Sequence, residues 1–177
     1  MIERALRDAN LLRTEIESIA VGLGPGSYTG IRVAIAVAHG WQIGRQVRVG
    51  GVSSLDAIVE RCMLDGLTGR VMVAIDAHRN ELYSANCEIS KSEWKMLAPL
   101  RIIRCDQLPE LAGHMDRVVG PDIKRWYSTG IEIWPGAESV GRLADKIDRC
   151  IPASPLEPIY LRETTFVKAP VSRISTI

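Results

Sequence analysis

The chain is short of the features that most quickly suggest a function. Its aromatics amount to four Trp, four Tyr and one Phe in 177 residues, so no row of stacking platforms for single-stranded nucleic acid is evident. Charge of one sign is not in excess, with 22 basic residues against 21 acidic, and bulk charge therefore points neither to nucleic acid nor to a membrane surface. The four cysteines, Cys62, Cys87, Cys105 and Cys150, contain no Cys-x-x-Cys pair, which argues against a structural zinc or a redox couple and fits free thiols in a reducing compartment. The three histidines, His39, His78 and His114, have no partner at helical spacing, so no metal site is expected. No apolar run reaches the length of a membrane span, and no basic stretch followed by an apolar one opens the chain. The expectation is a cytoplasmic α/β protein with no membrane contact.

What is present is a glycine-rich turn with an apolar segment behind it. Gly22, Gly24 and Gly26 follow the apolar run Ile19 to Val21, and Ser27 stands where a helix N-cap accepts the orphan N–H groups of the first turn. A phosphate loop is the first function to test there. A dinucleotide fingerprint requires a third glycine where Ser27 stands, Pro25 removes one amide, and no Lys-Ser/Thr follows for a Walker loop. Ser27 does not fit a nucleophile elbow either, because Gly26 is adjacent to it rather than two residues before. A structural turn and cap made of Gly24, Pro25, Gly26, Ser27 and Gly30 is the reading that remains.

The helix that follows is apolar nearly all round. Between Gly30 and Gly44 only Arg32, His39 and Gln42 are polar, and Ile35 lies inside their sector with Ile31 and Ile43 beside it. Gly30, Ala34 and Ala38 recur every fourth residue on a second face. Glycine within a helix costs roughly 1 kcal/mol against alanine, so Gly30 and Gly40 imply that another backbone comes close.

Around this segment the pattern is α-β-α-β-α. Ile2, Ala5, Leu6 and Ala9 have helical spacing; Thr14 and Glu17 have the spacing of a capping box before a strand at Ile19 to Leu23. Gly44 is expected to end the central helix, Gln46 to Val49 to be a strand, and Gly50-Gly51 to turn the chain. Ser53 then caps a helix with Leu55, Ile58, Val59 and Cys62 inward. The polar turn Asp65 to Gly69 divides the chain into units at 1–66 and 67–177. The second unit starts with strands at Val71 to Ile75 and Glu81 to Ile89 joined by the turn Asp76 to Asn80. A strand at Leu97 to Ile103, a helix around Gln107 to Met115, a strand at Arg117 to Val119, a helix near Ile123 to Tyr127 and a strand at Ile131 to Trp134 come next. Last come an amphipathic helix from Ala137 to Arg149, with Val140, Leu143, Ala144 and Ile147 inward, and an extended, proline-rich tail from Pro152 that is partly disordered at its end. Asp76 is either a catalytic carboxylate or an acceptor of turn amides. The second reading is favoured because no other carboxylate is placed to work with it.

Gly24-Pro-Gly-Ser-Tyr-Thr-Gly-Ile-Arg32, Gly51-Val-Ser-Ser-Leu-Asp-Ala57, Ala74-Ile-Asp-Ala-His-Arg-Asn-Glu-Leu-Tyr83 and Pro155-Leu-Glu-Pro-Ile-Tyr-Leu-Arg162 resemble, in order, the motifs of the bacterial TsaB (YeaZ) family. The resemblance implies a two-domain ribonuclease H-like fold of the actin-like ATPase superfamily. It also implies a non-catalytic role as partner of TsaD in forming N6-threonylcarbamoyladenosine at position 37 of tRNA. A TsaE-like ATPase is a further implied partner, tRNA is touched only indirectly, and no cofactor is implied beyond a nucleotide at the partner interface. In such proteins the helix after Gly-Pro-Gly-Ser, with the one before it, packs on TsaD or on a second copy. Carried over, this makes Ile2, Leu6, Ile31, Ala34, Ile35, Ala38, His39 and Gln42 the interface, and Gly24, Pro25, Gly26, Ser27, Gly30, Ser53 and Asp76 structural turn and cap residues. Family members start with three strands before the first helix. Met1 here falls within that helix, so the N-terminal domain is expected to be incomplete, from an internal start or a shortened form. The alternatives are an actin-like nucleotide hydrolase, a metallopeptidase-like enzyme, or a shortened homologue that only self-associates.

Overall fold

A computed structural model of the chain describes residues 2–146 and 156–161. The expected helix residues from Ile147 to Arg149, and the parts of the expected tail at 152–155 and beyond Leu161, lie outside them. Within them, two parallel or mixed sheets share one helix between them.

The first sheet pairs β1 (Ser18–Gly22) in parallel with β2 (Arg48–Val52). α1 (Ile2–Asp8) precedes it and buries no residue; a 3-10 turn at Arg13–Glu15 connects the two. That turn is capped by the Leu12 N–H donating to Glu15 Oε2 at 2.7 Å, not by the expected Thr14 and Glu17 pair. α2 (Tyr28–Arg45) links the strands, starting where Ser27 Oγ accepts the Gly30 N–H at 3.3 Å. The helix runs past the expected stop at Gly44: Gln46 takes the left-handed conformation (φ 57°) and donates its N–H to the Gln42 carbonyl at 2.9 Å. This later turn aims Val47 into the core, where it is 4% exposed.

β2 starts two residues later than expected and takes in both Gly50 and Gly51, which pair with Ala20 and Val21. They are therefore strand residues and not a turn. A side chain at Gly51 would lie 2.7 Å from Leu23 Cγ, so the glycine is required by close packing. Ile19, Val21 and Val49 face α2. By alternation Ala20, Gly22, Gly50 and Val52 face the other way, toward α3 (Ser54–Leu64) and α5 (Ala137–Lys146).

The second sheet has the order β5-β4-β3-β6-β7. β3 (Gly69–Asp76) and β4 (Glu81–Ile89) form the expected hairpin, β5 (Trp94–Arg104) continues it antiparallel, and β6 (Arg117–Gly120) and β7 (Ile131–Glu132) add in parallel. Between them α4 (Leu108–Ala112) and a 3-10 turn at Ile123–Arg125 are both shorter than the spacing predicts.

β3 and β4 expose alternate residues to two cores. Val71, Val73, Ile75, Ala85 and Cys87 meet Leu55, Ile58, Val59 and Cys62 of α3, and Met72, Ala74 and Leu82 meet Leu108 and Ala112 of α4. Ser53 Oγ accepts the N–H groups of Leu55 (3.1 Å) and Asp56 (3.4 Å) and so sets the start of α3. On its other side α3 places Ala57 against Val52 and Leu143. Its buried Glu60 carboxylate receives Lys146 Nζ of α5 at 2.7 Å. α3 thus lies in both cores, which brings the loops at the ends of β1, β3, β6 and β7 around one cleft.

Candidate functional site

α2 is the element to account for, because a helix apolar all round has two apolar sides and one sheet. Ile31 and Ile35 are 8% exposed and Ala38 is 0% exposed. All three pack on Val21, Val47 and Val49, with Ala34 and Trp41 at the margin. These residues were expected to meet a partner, and they meet the chain's own sheet instead. The physical reason is that the β-branched Ile31 and Ile35 recur with Ala38 on the one side that can reach Val21 and Val49. His39 and Gln42 sit half-buried at its border, with His39 Nδ1 3.3 Å from Gln42 Oε1.

The opposite side is open. Val33 is 57% exposed, Val37 40% and Ile43 85%. Thr29, Ala36, Gly40 and Gly44 lie among them, all exposed. Nothing comes within 4 Å of a Cβ placed on Gly40, and Gly30 is tight only against Ser27, so the expected backbone approach does not occur among the described residues. The helix carries no acidic residue; Arg32 and Arg45, both exposed, flank the apolar face. Ile2, Leu11, Leu12 and Tyr28 add exposed apolar side chains from nearby in the sequence, so half of the large exposed apolar residues among the described ones precede Arg45. Leu6 is half-buried.

One flank of α2 is occupied by the segment 156–161. Leu156 joins the α2 core, the Ile159 N–H donates to the Leu23 carbonyl at 2.8 Å, and Tyr160 packs against Tyr28 with ring centroids 5.1 Å apart and the rings tilted by 47°. Arg32 donates to the Tyr28 hydroxyl at 2.5 Å and lies 5.2 Å from the ring centre. This flank is therefore covered, which leaves the Val33, Val37 and Ile43 side as the free one.

The turn residues gather elsewhere. Pro25, Gly26, Ser27 and Gly30 line a cleft of about 430 Å³ together with Asp76, His78, Asp122 and Trp134. Two of its polar side chains, Ser27 and Asp76, are engaged in holding loops. Ser27 Oγ caps α2, and Asp76 Oδ1 accepts the His78 N–H at 2.7 Å, with Arg125 Nη1 3.9 Å from Oδ2. Asp76 thus does the work of a turn acceptor, holding a loop in which His78, Arg79 and Asn80 all have positive φ. Gly24 has φ +93°, and a Cβ there would lie 2.7 Å from Ile31 Cδ1, so the first glycine of the motif is fixed by the seat of the helix. Among the described residues no group of three His, Cys, Asp or Glu is arranged to hold a metal ion. Nor is any helix there long and apolar enough to cross a membrane.

The order of the larger sheet, with helices packed on both of its faces, is that of a ribonuclease H-like α/β protein of the actin-like class. The family model for tRNA N6-adenosine threonylcarbamoyltransferase (TsaD) matches residues 1–139. The chain is 26% identical over 181 residues to the tRNA threonylcarbamoyladenosine biosynthesis protein TsaB of Escherichia coli K12, covering 92% of this chain and 78% of that one. It is 35% identical over 83 residues to the TsaB protein of Haemophilus influenzae, across 47% of this chain and 35% of that one. A solved Pseudomonas aeruginosa structure, described as similar to peptidase YEAZ, superposes with a TM-score of 0.73 at 25% identity over 92% of this chain and 81% of its own. YeaZ from the same organism gives 0.70 at 23% identity over 91% and 82%, which speaks to the fold. The chain therefore belongs to the family that the TsaD model describes, and it is similar to the TsaB (YeaZ) proteins that its motifs resemble.

Sequence reasoning missed Val33, Val37 and Ile43 as the free face. Apolar periodicity could not separate them from Ile31 and Ile35, because both sides of the helix are apolar. The signal that was available is side-chain size: the open side mixes its three large residues with Thr29, Ala36, Gly40 and Gly44.

Proposed function

We propose that this chain is a docking subunit in tRNA threonylcarbamoyladenosine biosynthesis, binding a TsaD-like protein in the cytoplasm through the solvent-facing side of α2 and contributing no catalytic group. One observation carries the reading: a contiguous uncharged face of Val33, Ala36, Val37, Gly40 and Ile43, flanked by Arg32 and Arg45, lies open on a helix whose other side is fully used. Exposed apolar patches of this kind mark protein contacts. Small residues at 36, 40 and 44 let a second helix come close, in the manner of ridges packed into grooves. The flanking arginines favour a partner helix with acidic residues at its rim.

Co-purification with the cognate TsaD-like protein tests it. The wild-type chain and Ala34→Gly, altered at the covered margin, are expected to bind; Val33→Asp and Val37→Arg are expected to abolish binding while the circular dichroism spectrum is kept. Binding that survives both face substitutions would place the contact elsewhere. The names of the relatives support a pathway role; the cleft, with Ser27 and Asp76 committed to loops, gives an enzymatic reading no comparable support.

A further inference from the structure

The cleft at the head of α2 is poor in hydrogen-bond donors. Three of its lining residues, Pro25, Pro121 and Pro135, have no backbone N–H. Other N–H groups around it are already taken. Gly30 donates to Ser27 Oγ, Ile31 to the Ser27 carbonyl at 2.9 Å, Ser54 to the Gly24 carbonyl at 2.7 Å, and His78 to Asp76 Oδ1. Among the described residues no lysine or arginine lines it. Two helices start beside it, yet a phosphate would find few donors there, and it would meet carboxylates.

What the cleft does offer is negative charge beside apolar surface. Asp76 ends β3, Asp122 follows β6 and Trp134 follows β7, so the three come from the C-terminal ends of neighbouring parallel strands, where open α/β sheets collect their ligands. Asp76 is partly satisfied by the His78 N–H and by Arg125. The exposed Asp122 carboxylate has no hydrogen bond or ion pair among the described residues. Its backbone is nonetheless fixed: φ is 49°, and its carbonyl accepts the Arg125 N–H at 3.0 Å. Trp134 lines the cleft while 57% exposed, so its ring is not used up in a core. Among the described residues no third ligand makes these carboxylates a metal site, and a hard cation needs six or more oxygens.

We infer that this cleft binds a small organic cation, an ammonium or guanidinium group carried on a short apolar stem. The head is drawn by the Asp122 carboxylate and by the negative face of the Trp134 ring. The stem lies on Ile31, Ala34 and the prolines, as the methylene chain of a lysine lies on apolar surface with its charge at the rim. A volume of about 430 Å³ is that of a small-molecule site. Both attractions act at an exposed rim, so affinity is weak, and selectivity for positive charge is the property to test. The site is separate from the Val33 and Val37 side of α2 and needs no TsaD-like partner.

Titration of the nitrogen-15-labelled chain with n-butylammonium and with n-butylguanidinium, each up to about 100 mM, reads it directly. The signals to follow are the Trp134 indole N–H, assigned by its loss in Trp134→Leu, and the Asp122 amide. Saturation of both signals by at least one of the two cations is expected, at a dissociation constant on the order of 10 mM. n-Butanol, of the same shape without the charge, is expected to bind at least about fivefold more weakly. Sodium phosphate and magnesium chloride are expected to leave the two signals unsaturated. Asp122→Asn keeps the left-handed backbone conformation that Asn tolerates and is expected to weaken cation binding by about threefold or more. Failure of both cations to saturate the signals overturns the proposal. So does butanol binding as well as they do, phosphate or magnesium saturating the same signals more tightly, or an unchanged affinity in Asp122→Asn.

Discussion

Replacing Ile35 and Val37 separately by alanine tests which side of α2 is inside, because the two residues are neighbours in sequence and opposite in burial. Ile35 is 8% exposed and packed among Val21, Ala38 and Val49. Removing its outer carbons loses their transfer free energy and leaves a cavity, at a cost of about 2–4 kcal/mol. For a domain of this size that is a fall in melting temperature of roughly 5–15 °C. Val37 is 40% exposed. Its truncation loses little burial, and alanine's better helix propensity returns up to about 0.5 kcal/mol, so the net change is expected within ~0.5 kcal/mol of zero. Urea unfolding followed by circular dichroism at one fixed protein concentration measures both, and unchanged slopes would show that the midpoints report stability. Equal losses at the two positions, or a larger loss at Val37, would refute the orientation of the helix and the docking face derived from it.

Three further outcomes follow from the packing and the caps. Ser53→Ala is expected to cost about 1 kcal/mol, because two amides at the start of α3 lose their acceptor in a partly buried site; the exposed, longer Ser27 cap should cost less. Gly120→Ala would drive a Cβ into the Ala74 carbonyl of the neighbouring strand, and loss of more than ~3 kcal/mol, seen as insoluble protein, is expected; a normally melting variant would contradict the packing of β3 on β6. Burial pushes the Cys62 thiol up to about 12 and the Cys87 thiol up to about 11 from an ordinary 9.0. Between pH 9 and 11 the unfolded chain has therefore lost protons that the folded chain keeps. Stability should fall as pH rises through this range, by about 1.4 kcal/mol per pH unit for each thiol. Cys87→Ala should flatten the decline by about one such slope, and an unchanged slope would count against its burial.

Much of the fold could be read from local signals. Ser53 announced α3, and Leu55, Ile58, Val59 and Cys62 are its buried side as their spacing implied. The hairpin of β3 and β4 came from two runs separated by a turn rich in residues that accept positive φ. Reading failed where a residue type serves two ends. Gly50 and Gly51 look like a turn, but Gly51 is set by the Leu23 side chain across the sheet, a contact no local pattern contains. Gly44 looks like a helix stop, and the stop was set two residues later by the need to bury Val47. The site was legible as a segment and not as a surface. Resemblance located the motifs and the helix, but its face depends on which side meets Val21 and Val49, and an all-apolar helix does not encode that in periodicity. The cleft shared by Ser27 and Asp76 also needed α3 to bring two sheets together.

Photo-crosslinking tests the central claim most directly. With a benzophenone amino acid at position 37 on α2, or at position 101 on the edge strand β5 as a control, the chain is irradiated together with the TsaD-like protein. A crosslinked heterodimer from position 37 and none from position 101 is the predicted result. A crosslink from position 101 with none from position 37 would contradict the account and place the partner on the larger sheet.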